Sequence, residues 1–144
     1  MWLFLPYGFF SAVWCEKPDQ LHHVYKAPLY PDGAMMIRAR DRSHLELLLG
    51  EFTDFLTHPS NQVMLKAFAD RWGVTSAVGA EGIGLDEAII AAVQLGYPIL
   101  DQAGSDYRYR IFMERKFWAS FVAHASMQIN YSNFKNEAAQ DGES

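Results

Sequence analysis

The 144-residue sequence predicts an α+β domain. The expected architecture is a mainly antiparallel four-stranded sheet with two helices on one face, a two-layer sandwich of ferredoxin-like proportion, plus a helical insertion. Three observations lead there. Residues 34–40 and 107–113 alternate with the period of two that strands require. Each passes at once into a segment of helical period, 43–57 and 114–129. Half of the residues are hydrophobic and 15% are aromatic, enough for one domain with a sizeable core. A strand feeding directly into a helix that must bury an apolar stripe places that helix on the sheet.

The chain opens MWLFLPYGFFSAVWC, in which Phe9–Trp14 reads as a buried strand with Pro6 and Gly8 shaping the residues before it. An export signal fits poorly. No basic residue precedes the apolar run, Pro6 and Gly8 interrupt it, and it falls short of the ~20 residues of a membrane span. Trp14 also stands where a lipoprotein cleavage site needs a small residue. The expectation is a cytoplasmic protein without membrane attachment. Cys15 is the single cysteine, which excludes an internal disulfide. Residues 15–33 read as a loop because Pro18, Pro28 and Pro31 remove backbone donors and no period is present. His22 and His23 lie in that loop as neighbours, and neighbours rarely face one metal; no other His or Cys recurs at a ligand spacing, so no metal site is expected.

In the second strand, 34–40, Met35, Ile37 and Ala39 share one face and Met36, Arg38 and Arg40 the other. Ser43, with Glu46 three residues on, reads as a capping box for a helix whose Leu45, Leu48, Leu49, Phe52 and Leu56 form one apolar face. Pro59 ends it. Residues 60–96 read as a peripheral two-helix insertion: one helix through Trp72, stopped by Gly73, then a glycine-rich connector, then a helix over 85–95 with Asp86 and Glu87 at its positive end. The connector lacks the Lys and hydroxyl pair of a phosphate loop, and its glycines do not match a dinucleotide fingerprint. Residues 97–101 return as a short strand. Gly104, Ser105 and Asp106 make the turn into 107–113, where Tyr107, Tyr109, Ile111 and Met113 point one way and Arg108, Arg110 and Phe112 the other. Glu114 suits the start of the last helix, whose stripe is Phe117, Phe121, Val122, Ala125 and Ile129. Residues 136–144 read as a disordered tail.

No motif names a reaction, and no catalytic residue or cofactor is assigned. No serine sits in a nucleophile elbow, and Cys15 has no positive neighbour in its strand to activate it. His124 reads as a half-buried packing residue, and Asp54 with His58 as a surface pair. A small enzyme is the third-ranked reading, since active sites assemble from distant residues. The net charge of -5 argues against a surface that is wholly a nucleic-acid footprint, so charge has to be read locally. The leading reading is a non-enzymatic interaction protein with a protein partner or a second copy of itself. Trp2, Phe4, Tyr7, Trp72, Trp118, Tyr131 and Phe134 exceed what one small core comfortably buries, and Tyr7, Trp118, Tyr131 and Phe134 among them are its candidate interface anchors, because aromatic side chains dominate such contacts. The alternative is binding of nucleic acid or another anion by Arg38, Arg40, Arg108 and Arg110 with Phe112 as a stacking ring. On that reading Tyr107 and Tyr109 point inward, and arginines paired with carboxylates across the sheet are the competing explanation.

Four ordered stretches, MWLF with GFFS at the start, RAR at 38–40, DYRYRIF at 106–112 and YSNFK at 131–135, resemble a family of short bacterial conserved proteins. The resemblance covers about two thirds of the chain, at both ends. Residues 60–96 look like an insertion relative to that pattern, and a downstream tail rich in Trp and Tyr is missing. The family has no established activity, so the resemblance implies a common core and a cytoplasmic bacterial or mobile-element protein, and transfers no catalytic residue.

Overall fold

The computed structural model describes residues 1–16, 30, 33–74 and 84–128. His22, His23, most of the glycine-rich connector, Tyr131, Phe134 and the 136–144 tail lie outside the described residues. The chain order is β1 (Trp2–Leu5), β2 (Gly8–Cys15), β3 (Ala34–Ala39), α1 (Arg42–Thr57), a 3-10 turn (Pro59–Asn61), α2 (Gln62–Trp72), α3 (Leu85–Gly96), β4 (Leu100–Asp101), β5 (Tyr109–Met113) and α4 (Arg115–Gln128). The fold is α+β. Its sheet has the order β1-β2-β3-β5-β4, with every neighbouring pair antiparallel.

The sheet has five strands where four were expected. Pro6 and Gly8 do not merely shape the lead into a strand; they frame a tight hairpin in which Leu5 stands opposite Gly8 and Trp2 opposite Ser11. Apolar residues fill both faces of this hairpin, so the alternation that marks a half-buried strand is absent from it. The expected strand at 97–101 shrinks to Leu100–Asp101. Tyr97 still bonds back to the α3 carbonyl of Val93 and its ring is buried, which leaves no extended chain until Pro98 has passed.

The α1 cap also differs from the expected Ser43–Glu46 box. Asp41 is the cap: its Oδ1 accepts from the Ser43 amide at 2.9 Å and the Ser43 hydroxyl at 2.8 Å. Those bonds hold the Asp41 carboxyl below its ordinary range. Glu46 instead accepts from Arg42 Nε at 3.0 Å, one turn along the exposed side. Asp two residues earlier does the same job as Ser, because any short acceptor just ahead of the first turn reaches the orphan amides.

Helices α1 and α4 lie on one side of the sheet, where His44 of α1 meets Phe10 at 6.2 Å and Arg115 of α4 lies over the Trp14 ring at 5.1 Å. Helix α1 packs on β2, β3 and β5, and α4 packs on β3 and on α1. Ile37, Ala39, Ile111 and Met113 line that side of the sheet and are fully buried. Helices α2 and α3 share this core: Phe68 of α2 meets Phe52 at 5.9 Å and Phe117 at 5.7 Å, and Ile89 and Val93 of α3 are buried.

Gly33, just ahead of β3, has φ of +96°, a region that side chains avoid. A Cβ there would run into the backbone carbonyl of Cys15, which cannot move without breaking the β2–β3 ladder. Gly104 has a similar φ of +89° but faces open space. Gly33→Ala is therefore expected to cost more than the ~1–3 kcal/mol of backbone strain alone, and Gly104→Ala about that strain only. Denaturant unfolding of both variants checks this; equal losses would show that the carbonyl contact carries no weight.

Candidate functional site: the open sheet face

The side of the sheet away from the helices carries Trp2 and Phe4 from β1, Phe9, Ser11 and Val13 from β2, Met36 and Arg38 from β3, and Arg110 from β5, because residues directly opposite in an antiparallel ladder share a face. Arg38 stands directly opposite Arg110. Like charges so placed repel, and neither guanidinium has a carboxylate within ion-pair distance among the described residues. Neutral groups hold them in place. Arg38 Nη2 donates to Ser11 Oγ at 2.8 Å, and Arg110 Nη2 donates to the Tyr107 carbonyl at 2.9 Å and to Ser105 Oγ at 3.2 Å. Among the described residues neither Nε has a hydrogen-bond partner. Burial, reinforced by the Arg38 charge, holds the Arg110 guanidinium below its ordinary range; an arginine stays charged at neutral pH even so.

An aromatic row lies beside the pair. Trp2 stacks on Phe9 at 5.3 Å with the planes 5° apart, and Phe4 stacks on Phe9 at 4.4 Å. Tyr107 reaches over the face to meet Trp2 at 5.2 Å. Its ring also receives Arg38 at 5.2 Å and Arg40 at 5.1 Å, distances at which a cation is attracted to a ring face. Trp2 and Phe4 remain 56% and 77% exposed, so the row is open to a ligand.

The structure separates the five residues expected to form a ligand site. Arg38, Arg40 and Arg110 come together. Arg108 precedes β5 and turns to the sheet edge, where Asp101 engages its Nε and accepts from its Nη2 at 2.8 Å. Phe112 is 2% exposed and is no stacking platform. Alternation assigns a residue to a face but does not say whether that part of the face is covered. Tyr107, expected inward, lies on the open face because β5 starts at Tyr109 and the alternation does not extend back to it. Phe9 was missed, and Trp2 and Phe4, legible as aromatic side chains in excess of the core, were not assigned to this face; recognising Pro6–Gly8 as a hairpin turn is the signal that places all three.

Trp118 is buried against Phe121, so it cannot anchor a partner, and Tyr7 is half-buried with its ring against Phe10. Cys15 is not without positive neighbours: burial pushes its thiol up, and Arg38 and Arg110 pull it partway back. His124 packs on Phe55 at 5.0 Å. His58 bonds Ser60 Oγ at 2.6 Å rather than pairing with Asp54.

On the helix side an open groove of about 830 Å³ runs between α1 and α3, with Leu49, Val93 and Ile99 among its lining residues and Glu46, Glu51 and Asp54 as its acidic groups. Arg42 also lines this groove, paired with Glu46, so three carboxylates there face one arginine. Among the described residues, no group of three His, Cys, Asp or Glu side chains could hold a metal ion, and no helix is long and apolar enough to cross a membrane. Comparison with protein-family models, curated proteins and solved structures finds no match to this chain.

Proposed function

We propose that the open sheet face binds single-stranded nucleic acid. The observation that carries this reading is the cross-strand pair Arg38–Arg110, which has no described carboxylate partner and stands beside an exposed row of rings. A phosphate between the two guanidinium groups relieves their mutual repulsion and meets planar paired donors. Bases then stack on Trp2, Phe4 or Tyr107, where any base offers a π-face, so the expected preference is for unpaired strands over a particular sequence. The MWLF, GFFS, RAR and DYRYRIF stretches, far apart in the chain, all contribute to this one face.

Fluorescence anisotropy with labelled single-stranded RNA and DNA at low salt tests it. Binding is expected to weaken with salt by about 0.7 in log affinity per log salt for each phosphate contacted. Changing Arg38 and Arg110 together to Gln is expected to weaken binding at least about ten-fold, near 1.4 kcal/mol, with the fold retained. Arg108→Gln is expected to change little, because Asp101 already neutralises that charge. Absence of binding at low salt, or equal losses in the Arg108 control, sinks the proposal.

A protein partner is the second reading, and the exposed edge strand β1 favours it. Phe4 is 77% exposed and Trp2 56%, both on one four-residue strand. Exposed aromatic side chains of this kind are common anchors at interfaces.

A further inference from the structure

Strand β1 is an outer strand of the sheet, paired only with β2. At its start the Met1 nitrogen donates to the Ala12 carbonyl at 2.9 Å, and the Ala12 amide donates to the Met1 carbonyl at 2.8 Å. Hydrogen-bonded and non-bonded pairs alternate along an antiparallel ladder. Met1, Leu3 and Leu5 therefore spend their backbone groups on β2, and Trp2 and Phe4 turn theirs to the outside. No described residue pairs with those outward groups.

Soluble proteins guard such an edge with charges, proline, bulges or shortness. The opposite edge is guarded in that way: β4 has two residues, and Asp101 on it is engaged by Arg108. Trp2–Leu5 is twice as long as β4 and has no charged side chain, proline or bulge; its sequence is WLFL and it pairs in regular register.

We infer that β1 pairs with β1 of a second copy of this chain, antiparallel across a two-fold axis at Leu3. In that register Trp2 lies opposite Phe4 of the second copy, and each exchanges its outward N–H and C=O with the other. The arrangement is self-complementary because the outward groups flank a single residue. Shifting the axis to Trp2 leaves Phe4 without a counterpart on the strand. Shifting it to Phe4 sets Trp2 against Pro6, which has no N–H to donate. The strand has no charged side chain, and with the axis at Leu3 each Met1 ammonium stands opposite Leu5 of the other copy, so the two like charges lie at opposite ends of the pairing. An axis normal to the sheet keeps the two open faces on the same side and sets Trp2 of one copy beside Phe4 of the other.

Met1, Trp2 and Phe4 together leave on the order of 400 Å² of apolar surface exposed per copy. Edge pairing covers only the part of it along the strand edge, because the Trp2 and Phe4 rings rise from the open face, so the total buried stays under about 800 Å², less than a stable specific interface needs. The dimer is therefore a weak, exchanging one, expected to dissociate at about 10–100 μM. Light scattering after size exclusion is expected to show mass rising from 16.4 kDa towards twice that value over this concentration range. Amide exchange at Trp2 and Phe4 is expected to slow as concentration rises.

Phe4→Pro removes an outward donor without touching the β1–β2 bonds, a placement that edge strands tolerate. It is expected to be folded by circular dichroism and monomeric, while Phe4→Ala, which keeps the N–H, retains part of the association. Arg38→Gln with Arg110→Gln is expected to leave the dimer unchanged, so failure of this inference and failure of nucleic-acid binding are separable. A chain that stays at 16.4 kDa at about 1 mM overturns the inference, as does a dimer that Phe4→Pro leaves intact.

Discussion

Phe52→Ala is expected to cost about 3–5 kcal/mol, a large share of the 5–15 kcal/mol that holds a domain of this kind together. Phe52 is fully buried on α1 and its ring meets Phe55 at 6.0 Å, Phe68 at 5.9 Å, Tyr97 at 5.7 Å and Phe121 at 5.7 Å. Those partners come from α1, α2, the end of α3 and α4, so the cavity left by Ala opens where all four helices meet and cannot close by moving one of them. Phe52→Leu keeps most of the volume and is expected to lose much less. Urea unfolding gives the comparison. A loss for Phe52→Ala within the ~0.5 kcal/mol typical of surface changes would mean that α2 and α3 are not packed on α1 in solution.

Glu114→Ala is expected to be nearly as damaging, at about 3 kcal/mol. Glu114 is 9% exposed at the junction of β5 and α4. Its Oε1 accepts from the Tyr97 hydroxyl at 2.7 Å, and its Oε2 lies 3.4 Å from Arg71 Nε. Alanine removes the acceptor of a buried hydroxyl and takes from Arg71 its carboxylate. The low end of the range applies because the Arg71 side chain keeps 25% of its surface exposed.

The same carboxyl links stability to pH. Burial raises its pKa above the ordinary 4.5, and the Tyr97 bond and Arg71 charge only partly oppose that. The folded state therefore holds the Glu114 proton more tightly than the unfolded chain does. The resulting stabilisation is complete below pH 4.5 and is lost as pH rises through the folded pKa. Glu114→Gln keeps an oxygen for Tyr97 and cannot ionise, so the stability of the parent minus that of this variant is expected to fall as pH rises above 4.5. A difference that grows with pH would show that Arg71 outweighs burial.

Local chemistry made some of this protein legible from its residues alone. Alternation over 34–40 and 107–113 and helical spacing over 43–57 located two strands and the helix after each, because those periods belong to the chain and need no neighbour to be read. It also placed Arg38 and Arg110 on strand faces that could meet. Tertiary structure decided the rest. Which strands lie side by side is set by long-range pairing, and only that pairing brought Arg38 opposite Arg110 and sent Arg108 to Asp101.

Cover is likewise a property of the assembled molecule. Phe112 and Trp118 are as aromatic as Trp2 and Phe4, yet the first two are 2% and 3% exposed and the latter 56% and 77%. Phe9–Trp14 was legible as a strand and is the body of β2, but its hairpin partner Trp2–Leu5 escaped reading for a related reason: apolar on both sides, the hairpin has no alternation, and its register is fixed by a turn at Pro6–Tyr7 rather than by pattern. Residue periodicity thus determined the elements and their faces, while burial and pairing, which depend on residues distant in the chain, determined which of those faces remain open to a ligand.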